Sequence, residues 1–468
     1  MVNSVPAIVI AAPASGSGKT TVATGLMGAL RAAGQRVAPF KVGPDYIDPG
    51  YHALAAGLPG RNLDAVMVGR ERIGPLFRHG SAGCDIAVVE GVMGLFDGKI
   101  DMNGAGAASA EGSTASVASM LGAPVVLVVD ARGHSQSLAA VLHGFSTFDS
   151  SVRIGGVILN RVGSPRHEEV LRQACDRVGI PVLGSLPRMS ELAVPSRHLG
   201  LITALEHGSR ASEAVDAMAT LVAEHIDLAA VRSLAASTVS SEPWDAAEEV
   251  GETAGRAPVV AIAGGPAFTF GYAEHVELLR ASGADVAVFD PLTDGLPPGT
   301  SGVILPGGFP EEHAEQLASN SVLLADIRRA ASIGVPIHAE CAGLLYLTRS
   351  LDGHAMAGVV DADARFGSAL TLGYRDAVAL HDSVLFEAGA RVTGHEFHRT
   401  VLLESAGGQR DSAWGWQNPS RTADKRVVRE GFVQGGVHAS YLHTHPAGNP
   451  KSVGRFVDAC ARTELADA

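Results

Sequence analysis

Two stretches of this 468-residue chain hold the residue types that bond-making chemistry needs. In HAECAGLLYL (338 to 347), Cys341 sits where the apolar run GVPIH (334 to 338) gives way to small residues and then LLYL. The change predicts a strand-to-helix turn, the elbow that exposes a nucleophile in α/β folds. A helix starting behind Cys341 is expected to lower the thiol pKa. A thiolate so placed attacks an acyl carbon, while a histidine takes and returns the proton and backbone N–H groups hold the oxyanion. LPGGFPEEH (305 to 313) supplies a glycine turn, Gly307-Gly308, for those donors. VHASYLHTHPAGNP (437 to 450) offers His438, His443 and His445 as the base. Read alone, Cys341 is more often a buried small apolar residue, as free Cys usually is. The histidines, with no Cys or acid beside them, make a poor zinc pattern.

The second stretch is PASGSGKTT (13 to 21), which follows the apolar run AIVIAA (7 to 12). A strand, a glycine-rich loop and a helix make a nucleotide phosphate site. Gly16, Ser17, Gly18 and Thr21 shape the loop, Lys19 reaches the β/γ oxygens, and Thr20 can hold Mg²⁺. Pro13 stands where the usual pattern has its first glycine. KVGPDYIDPGYH (41 to 52) adds Lys41, Asp45 and Asp48, and VVEGVMGLFDG adds Glu90 and Asp97. All fall at C-terminal ends of predicted strands, where an open parallel sheet binds ligands. Thr20, Asp48 and Glu90 are hard oxygen donors of the kind Mg²⁺ takes. Asp45 and Asp48 can instead bond their own backbone beside Pro44 and Pro49. Asp64 reads as a helix cap or a ligand. Asn160 and Arg161 close the run IGGVILNRV as adenine contacts or as a polar strand end.

These residues need strands to deliver them. Apolar runs recur at 7–12, 37–42, 85–91, 124–131 and 154–162, with Ala- and Leu-rich helical stretches between. Continuous Val/Ile runs alternating with helices predict a parallel sheet covered on both faces, an α/β class. The pattern fades over 232–257, which reads as a solvated linker, and restarts as a second α/β unit at 258. The expected domains are therefore 1–231 and 258–468.

The formal net charge of -13 disfavours nucleic acid and anionic membranes as partners. Four cysteines without CxxC spacing signal neither disulfides nor zinc and fit a reducing cytoplasm. The start of the chain lacks a basic region before its apolar run, so it reads as a strand and not a signal peptide. No apolar run reaches the roughly 18 residues of a membrane helix.

Over nearly its whole length the chain resembles the cobyrinate / hydrogenobyrinate a,c-diamide synthases of cobalamin biosynthesis. The motifs APASGSGKTTV, FKVGPDYIDPGYH, EGVMGLFDG, GSTASVA, GVILNRVGSPRH, LPGGFPE, HAECAGLLYL, GHEFHRT and ASYLHTHP appear in family order. The N-terminal part is similar to dethiobiotin synthetase and the C-terminal part to class I glutamine amidotransferases. The resemblance implies a P-loop domain joined to a glutaminase domain, with ATP and Mg²⁺ as cofactors. Its substrates are glutamine, ATP and a corrin polycarboxylate, and a homodimer is left open.

Carried over by position, Lys19, Thr20 and Lys41 contact phosphate or metal. Asp45, Asp48, Glu90 and Asp97 handle metal and substrate. Cys341 forms a thioester, His443 is its base, and Gly307, Gly308 and Ala342 surround the oxyanion. Triad amidotransferases place a Glu two residues after that His; here the residue is His445, so a Cys-His dyad is expected. Ala342 stands where relatives often have Gly. Arg188, Arg197 and His198 are candidate partners for corrin carboxylates. Ala14 stands where DNA-partition ATPases carry an extra Lys. The alternatives are amidation of other corrin side chains, as in cobyric acid synthases, and a nucleotide-binding regulator without catalysis.

Overall fold

The structure is a computed structural model. It describes residues 4–100, 110–188, 196–197, 200–201, 203–251, 257–404, 411–417 and 427–463. The chain forms two compact units, Met1–Trp244 and Asp245–Ala468.

The first unit is built on strands β1 (Ala7–Ala11), β2 (Val37–Val42), β3 (Arg61–Leu63), β4 (Ile86–Glu90), β5 (Val125–Asp130), β6 (Ile154–Val162) and β7 (Val182–Pro187). They form one parallel sheet in the order β3-β2-β4-β1-β5-β6-β7. Every residue of β1, β2 and β4 is buried. That is why these strands read as unbroken apolar runs without alternation. Helix α1 (Lys19–Ala32) follows β1 directly, and α2 (Asp48–Ala56) follows β2. Chain order thus sets both helix starts at the C-terminal edge of the sheet. A two-residue pair, β8 (Ser196–Arg197) with β9 (Gly200–Leu201), lies further along.

The stretch expected to be a solvated linker is in part fastened to the first unit. Arg232 lies in the last turn of a helix over Leu228–Leu234. Ala236 and Ala7 exchange backbone hydrogen bonds, and Thr238 N–H donates to Leu121 O. Trp244 is buried against the ring of His79. Small polar residues tie down as readily as they solvate when their N–H groups find carbonyls at a sheet edge. A short helix, Ala246–Val250, opens the second unit.

The second unit has two sheets. Strands β10 (Val259–Ala263), β11 (Asp285–Phe289), β12 (Thr300–Leu305) and β13 (Ile337–Glu340) come first. After them run β14 (Ser350–Leu351), β15 (His354–Ala355), β16 (Ala362–Ala379), β17 (Arg391–Glu404), β18 (Trp414–Gln417), β19 (Val427–Glu430), β20 (Phe432–Gln434) and β21 (Val437–Ser440). The first sheet runs β11-β10-β12-β13-β21-β20; its members from β11 to β21 are parallel, with a register shift between β10 and β12 at Val259/Val260. The second sheet is organised on the long antiparallel pair β16 and β17. The helix Ala342–Leu347 is buried throughout, packed in the core with Leu305, Ile337 and Ala339.

Candidate functional site

At the edge of the first sheet, register sets the charges. Lys41 is the cross-strand partner of Glu90, and Ile10 pairs with Glu90 on the other side. The Lys41 ammonium lies 3.0 Å from Glu90 Oε1, 2.6 Å from Asp48 Oδ2 and 3.7 Å from Asp45 Oδ2. Burial opposes its charge, but the three carboxylates outweigh this and hold it above the usual lysine range. Glu90 is fully buried; the cost of burial is offset by Lys41, His52 and Thr20, which hold it below the usual carboxylate range. Asp48 is pushed up by burial and by Asp45 and Glu90, with Lys41 acting against them. Thr20 Oγ1 donates to Glu90 Oε1 at 2.7 Å and lies 3.4 Å from Asp48 Oδ2.

Thr20, Asp48 and Glu90 therefore converge as hard oxygen donors, and an ammonium already sits between the two acids. The set fits Mg²⁺. Among the described residues, no group of three or more His, Cys, Asp or Glu side chains is arranged to hold a metal. Two carboxylates and a hydroxyl suit an ion that completes its shell with water and phosphate oxygens.

The loop before α1 turns through Gly16 (φ 78) and Gly18 (φ 96), a left-handed backbone that suits glycine. A Cβ on Gly18 would meet Asn160 Nδ2 at 2.2 Å, so a larger residue there would displace the Asn160 side chain. Asn160 Nδ2 donates to Ser17 O, and Arg161 Nη1 donates to Gly16 O and to Asp130. Read from the sequence as adenine contacts or as a polar strand end, both side chains brace the phosphate loop, because β6 ends directly against it. Ser17 Oγ bonds Ala14 O within the loop. Lys19 Nζ donates to Met93 O at 2.6 Å, and burial and Lys41 push it down. A cleft of about 400 Å³ opens beside the loop, lined in part by Ser15, Gly16, Asp130, Arg132 and His134. Asp130 there takes Arg132 in a bidentate pair.

Other acids behave locally. Asp45 Oδ1 accepts from the N–H groups of Ile47 and Asp48, the turn use of Asp, while its Oδ2 faces Lys41. Asp97 accepts from Gly94 N–H across a tight loop. Asp64 caps the helix Ala65–Val68 through Val66 and Met67. Thr21 lies in the first turn of α1. Arg188 is exposed at the end of β7, with its N–H on Val162 O. Arg197 lies in β8, and His198 lies outside the described residues.

In the second unit Cys341 follows β13 with φ 48 and ψ −96, a strained conformation for a side-chain-bearing residue that costs on the order of 1–3 kcal/mol. Its N–H is fixed by Ser440 O at 2.7 Å, and its thiol is directed at Phe397 O, 3.8 Å away on β17. The expected lowering of the thiol pKa is not found. Burial pushes the thiol up, Glu311 and Glu340 add to this, and the Ala342 N–H opposes them without prevailing. The helix behind it has only six residues, and desolvation outweighs so short a dipole.

Glu340 is the register partner of Ser440, so the residues after β21 pass close to the end of β13. His443 is fully buried there and exchanges two 2.9 Å backbone hydrogen bonds with His395 of β17. Its ring lies against Gly307, where a Cβ would meet Cε1 at 2.3 Å, and near Phe270. Phe270 N–H donates to Gly307 O, which gives AGGPAFTFGY a role as a wall of this site. Gly308 packs where a Cβ would meet Ala267 O at 2.1 Å. Burial pushes His443 down to about 4, although Glu340 pulls the other way. His445 accepts from Ala447 N–H and packs on Tyr272; His438 bonds Ser383.

Three contributors escaped the sequence reading. Glu340 is hidden as the neighbour of a cysteine, and His52 as the last residue of a loop motif. The motif GHEFHRT proves to be the middle of β17, whose alternation brings His395 and Phe397 to one side, with the Phe397 carbonyl on the thiol. A period-two pattern was its only signal.

Residues 8–202 match the CobQ/CobB/MinD/ParA nucleotide binding domain, and residues 259–451 match the CobB/CobQ-like glutamine amidotransferase domain. The chain is 62% identical to hydrogenobyrinate a,c-diamide synthase of Mycobacterium tuberculosis, with 97% of each chain covered. It is 55% identical to the protein of that name in Streptomyces coelicolor, with 98% of each covered. With the cobyrinate a,c-diamide synthase of Synechococcus sp. it shares 39% identity over 97% of this chain and 98% of the other. A buried acid cluster under a phosphate loop, and a strained cysteine elbow whose neighbour Glu340 lies 3.9 Å from a buried histidine, thus lie in a chain that belongs to the cobyrinate / hydrogenobyrinate a,c-diamide synthase family.

Proposed function

We propose that this chain is an ATP- and glutamine-dependent ligase that converts the a and c side-chain carboxylates of hydrogenobyrinate into amides. The observation that carries the reading is the pairing, on one chain, of a phosphate loop whose lysines meet a buried acid pair with a strained cysteine elbow whose neighbour Glu340 lies 3.9 Å from the buried His443. Relatives named for hydrogenobyrinate stand nearer than those named for cobyrinate, which favours the cobalt-free acid.

In the second unit, Cys341 Sγ adds to the carboxamide carbon of glutamine. His443 takes the thiol proton and hands it to the departing ammonia. The N–H of Ala342 and the turn Gly307-Gly308 hold the oxyanion, and water then releases glutamate from the thioester.

In the first unit, Lys19, Lys41 and the loop N–H groups neutralise the triphosphate. A carboxylate oxygen of the corrin attacks the γ phosphorus, ADP leaves, and ammonia displaces phosphate from the acyl carbon. Mg²⁺ held by Thr20, Asp48 and Glu90 would supply charge neutralisation at the phosphates. Asp45 and Asp97 set the loops that carry Asp48 and face Lys19. Asn160 and Arg161 keep the loop in its open curl. Reduced thiols and the absence of a membrane-length apolar helix among the described residues accord with work in the cytoplasm.

The test is product analysis by mass spectrometry, with cobalt-free and cobalt-containing acids offered in turn. Amides at a and c, formed from glutamine by the wild type and from ammonia alone by Cys341→Ala, support the reading. Amides at other positions, or glutamine hydrolysis that survives Cys341→Ala, overturn it.

A further inference from the structure

The dyad expectation names no acid for His443, since the position two residues on is His445. The structure supplies an acid from elsewhere in the chain. Glu340, the residue immediately before Cys341, places Oε2 3.9 Å from His443 Nδ1. Its other oxygen, Oε1, accepts from Thr444 N–H at 3.0 Å and Thr444 Oγ1 at 2.8 Å, and lies 3.3 Å from His338 Nε2. Three contacts on one oxygen fix the carboxylate plane and leave the other oxygen turned to the imidazole. Burial works against this charge, but His338, His443 and Thr444 outweigh it and bring the carboxyl down to about 2, so it is ionised at neutral pH.

We infer that Glu340 is the positioning residue for His443, standing in for a triad acid from the strand that ends in the nucleophile. This rests on the proposed role of Cys341 and His443. In the free protein the pair is longer than a hydrogen bond, as such contacts often are before substrate tightens them. When His443 takes the thiol proton, the imidazolium gains a fixed counter-charge on its Nδ1 side. Other charged or titratable groups acting on His443 include His398 and Glu396 of β17, and His395 is coupled to it as well. Glu396 is already paired with Arg375 at 2.6 Å, so it is the less available of the two acids.

The same carboxylate also acts on Cys341, raising its pKa. Glu340 thus favours proton transfer only when it ends on His443. One residue disfavours a lone thiolate and favours the thiolate-imidazolium pair.

The experiment compares Glu340→Gln, Glu340→Asp and Thr444→Val with wild type in the full chain. It reads glutaminase kcat and KM, the rate of Cys341 alkylation by iodoacetamide, and synthesis from ammonia as the check of folding. The expected result for Glu340→Gln is a loss of about 10- to 100-fold in kcat with KM for glutamine within about twofold. Alkylation slows in parallel, and Glu340→Asp restores part of the rate. Thr444→Val frees the carboxylate without removing it and lowers kcat less. Full glutaminase kcat in a Glu340→Gln protein that still uses ammonia overturns the inference. If Glu340→Gln does not fold, Thr444→Val decides: reduced kcat at unchanged KM supports the inference and unchanged kcat overturns it. Glutaminase surviving in Cys341→Ser would instead sink the assignment of the nucleophile, a result that Glu340 variants cannot produce.

Discussion

His52 Nε2 lies 2.6 Å from Glu90 Oε2, and both side chains are wholly buried. This contact occupies one carboxylate oxygen and leaves the other, Oε1, facing Thr20 and Lys41. His52 thus decides which way Glu90 points.

His52→Ala should free that carboxylate to turn. Synthesis with ammonia as nitrogen source is expected to fall about 10- to 100-fold, the usual effect of removing a partner behind a ligand. Glutamine hydrolysis should be unchanged. Glu90→Gln should go further and stop synthesis with either nitrogen source. Steady-state assays with glutamine and with ammonium salts check both; equal activity of His52→Ala and wild type would refute the orienting role.

Gly307→Ala puts a methyl group 2.3 Å from His443 Cε1 and 3.0 Å from a Phe270 ring carbon. Backbone and two rings cannot all yield, so His443 moves. Glutaminase should drop by at least tenfold, since misplacing a reacting group by about an ångström has that scale of effect. Ammonia-dependent synthesis should persist. A variant with normal glutaminase would show that His443 is not held by this contact.

Asn160→Ala removes the bond to Ser17 O and the contact that packs against Gly18. The loop loses a brace worth about 1 kcal/mol. KM for ATP should rise about fivefold, with glutamine hydrolysis unaffected. Nucleotide titration by calorimetry gives the same answer directly; unaltered affinity would contradict it.

Acid should unfold the second unit first. His443 and His275 are pushed down to about 4 by burial, and His395 and His438 to about 3. In the unfolded chain each binds a proton near pH 6.5 that the fold refuses until those lower values. Their contribution is complete above about pH 6.5 and drains away as pH falls toward 4, at roughly 3 kcal/mol for one group moved that far. The depressed carboxyl of Glu340 adds a loss below about pH 4. Trp414 lies 5.4 Å from the His438 ring, so tryptophan fluorescence against pH reports the change. Unaltered fluorescence and circular dichroism down to pH 4 would show that these imidazoles are not held neutral.

The legible parts of this chain were those with a local cause. Apolar runs such as AIVIAA and PVVLVVDA became buried parallel strands because burial on both faces dictates continuous hydrophobicity. Lys19, Lys41, Asp48 and Glu90 were legible as a cluster because each lies near the end of a strand or opens a helix, and the structure brings them together. β3 and β7 were not anticipated; the first is three residues long and the second carries Gly184 and Ser185 within it. The β16-β17 pair was missed because its half-exposed residues show no clean run. Glu340 and His52 could not be found by any local rule. Their partners lie 103 and 38 residues away in sequence, and only the fold supplies the pairing.

The Lys41 ammonium between Asp48 and Glu90 is an internal counter-ion. It balances two acids that lie side by side in a dry place. A divalent ion held by Thr20, Asp48 and Glu90 would meet a site whose charge is already balanced. Lys41 would then be free to turn from carboxylate to phosphoryl oxygen. One positive charge would serve both the stability of the fold and the recognition of its nucleotide.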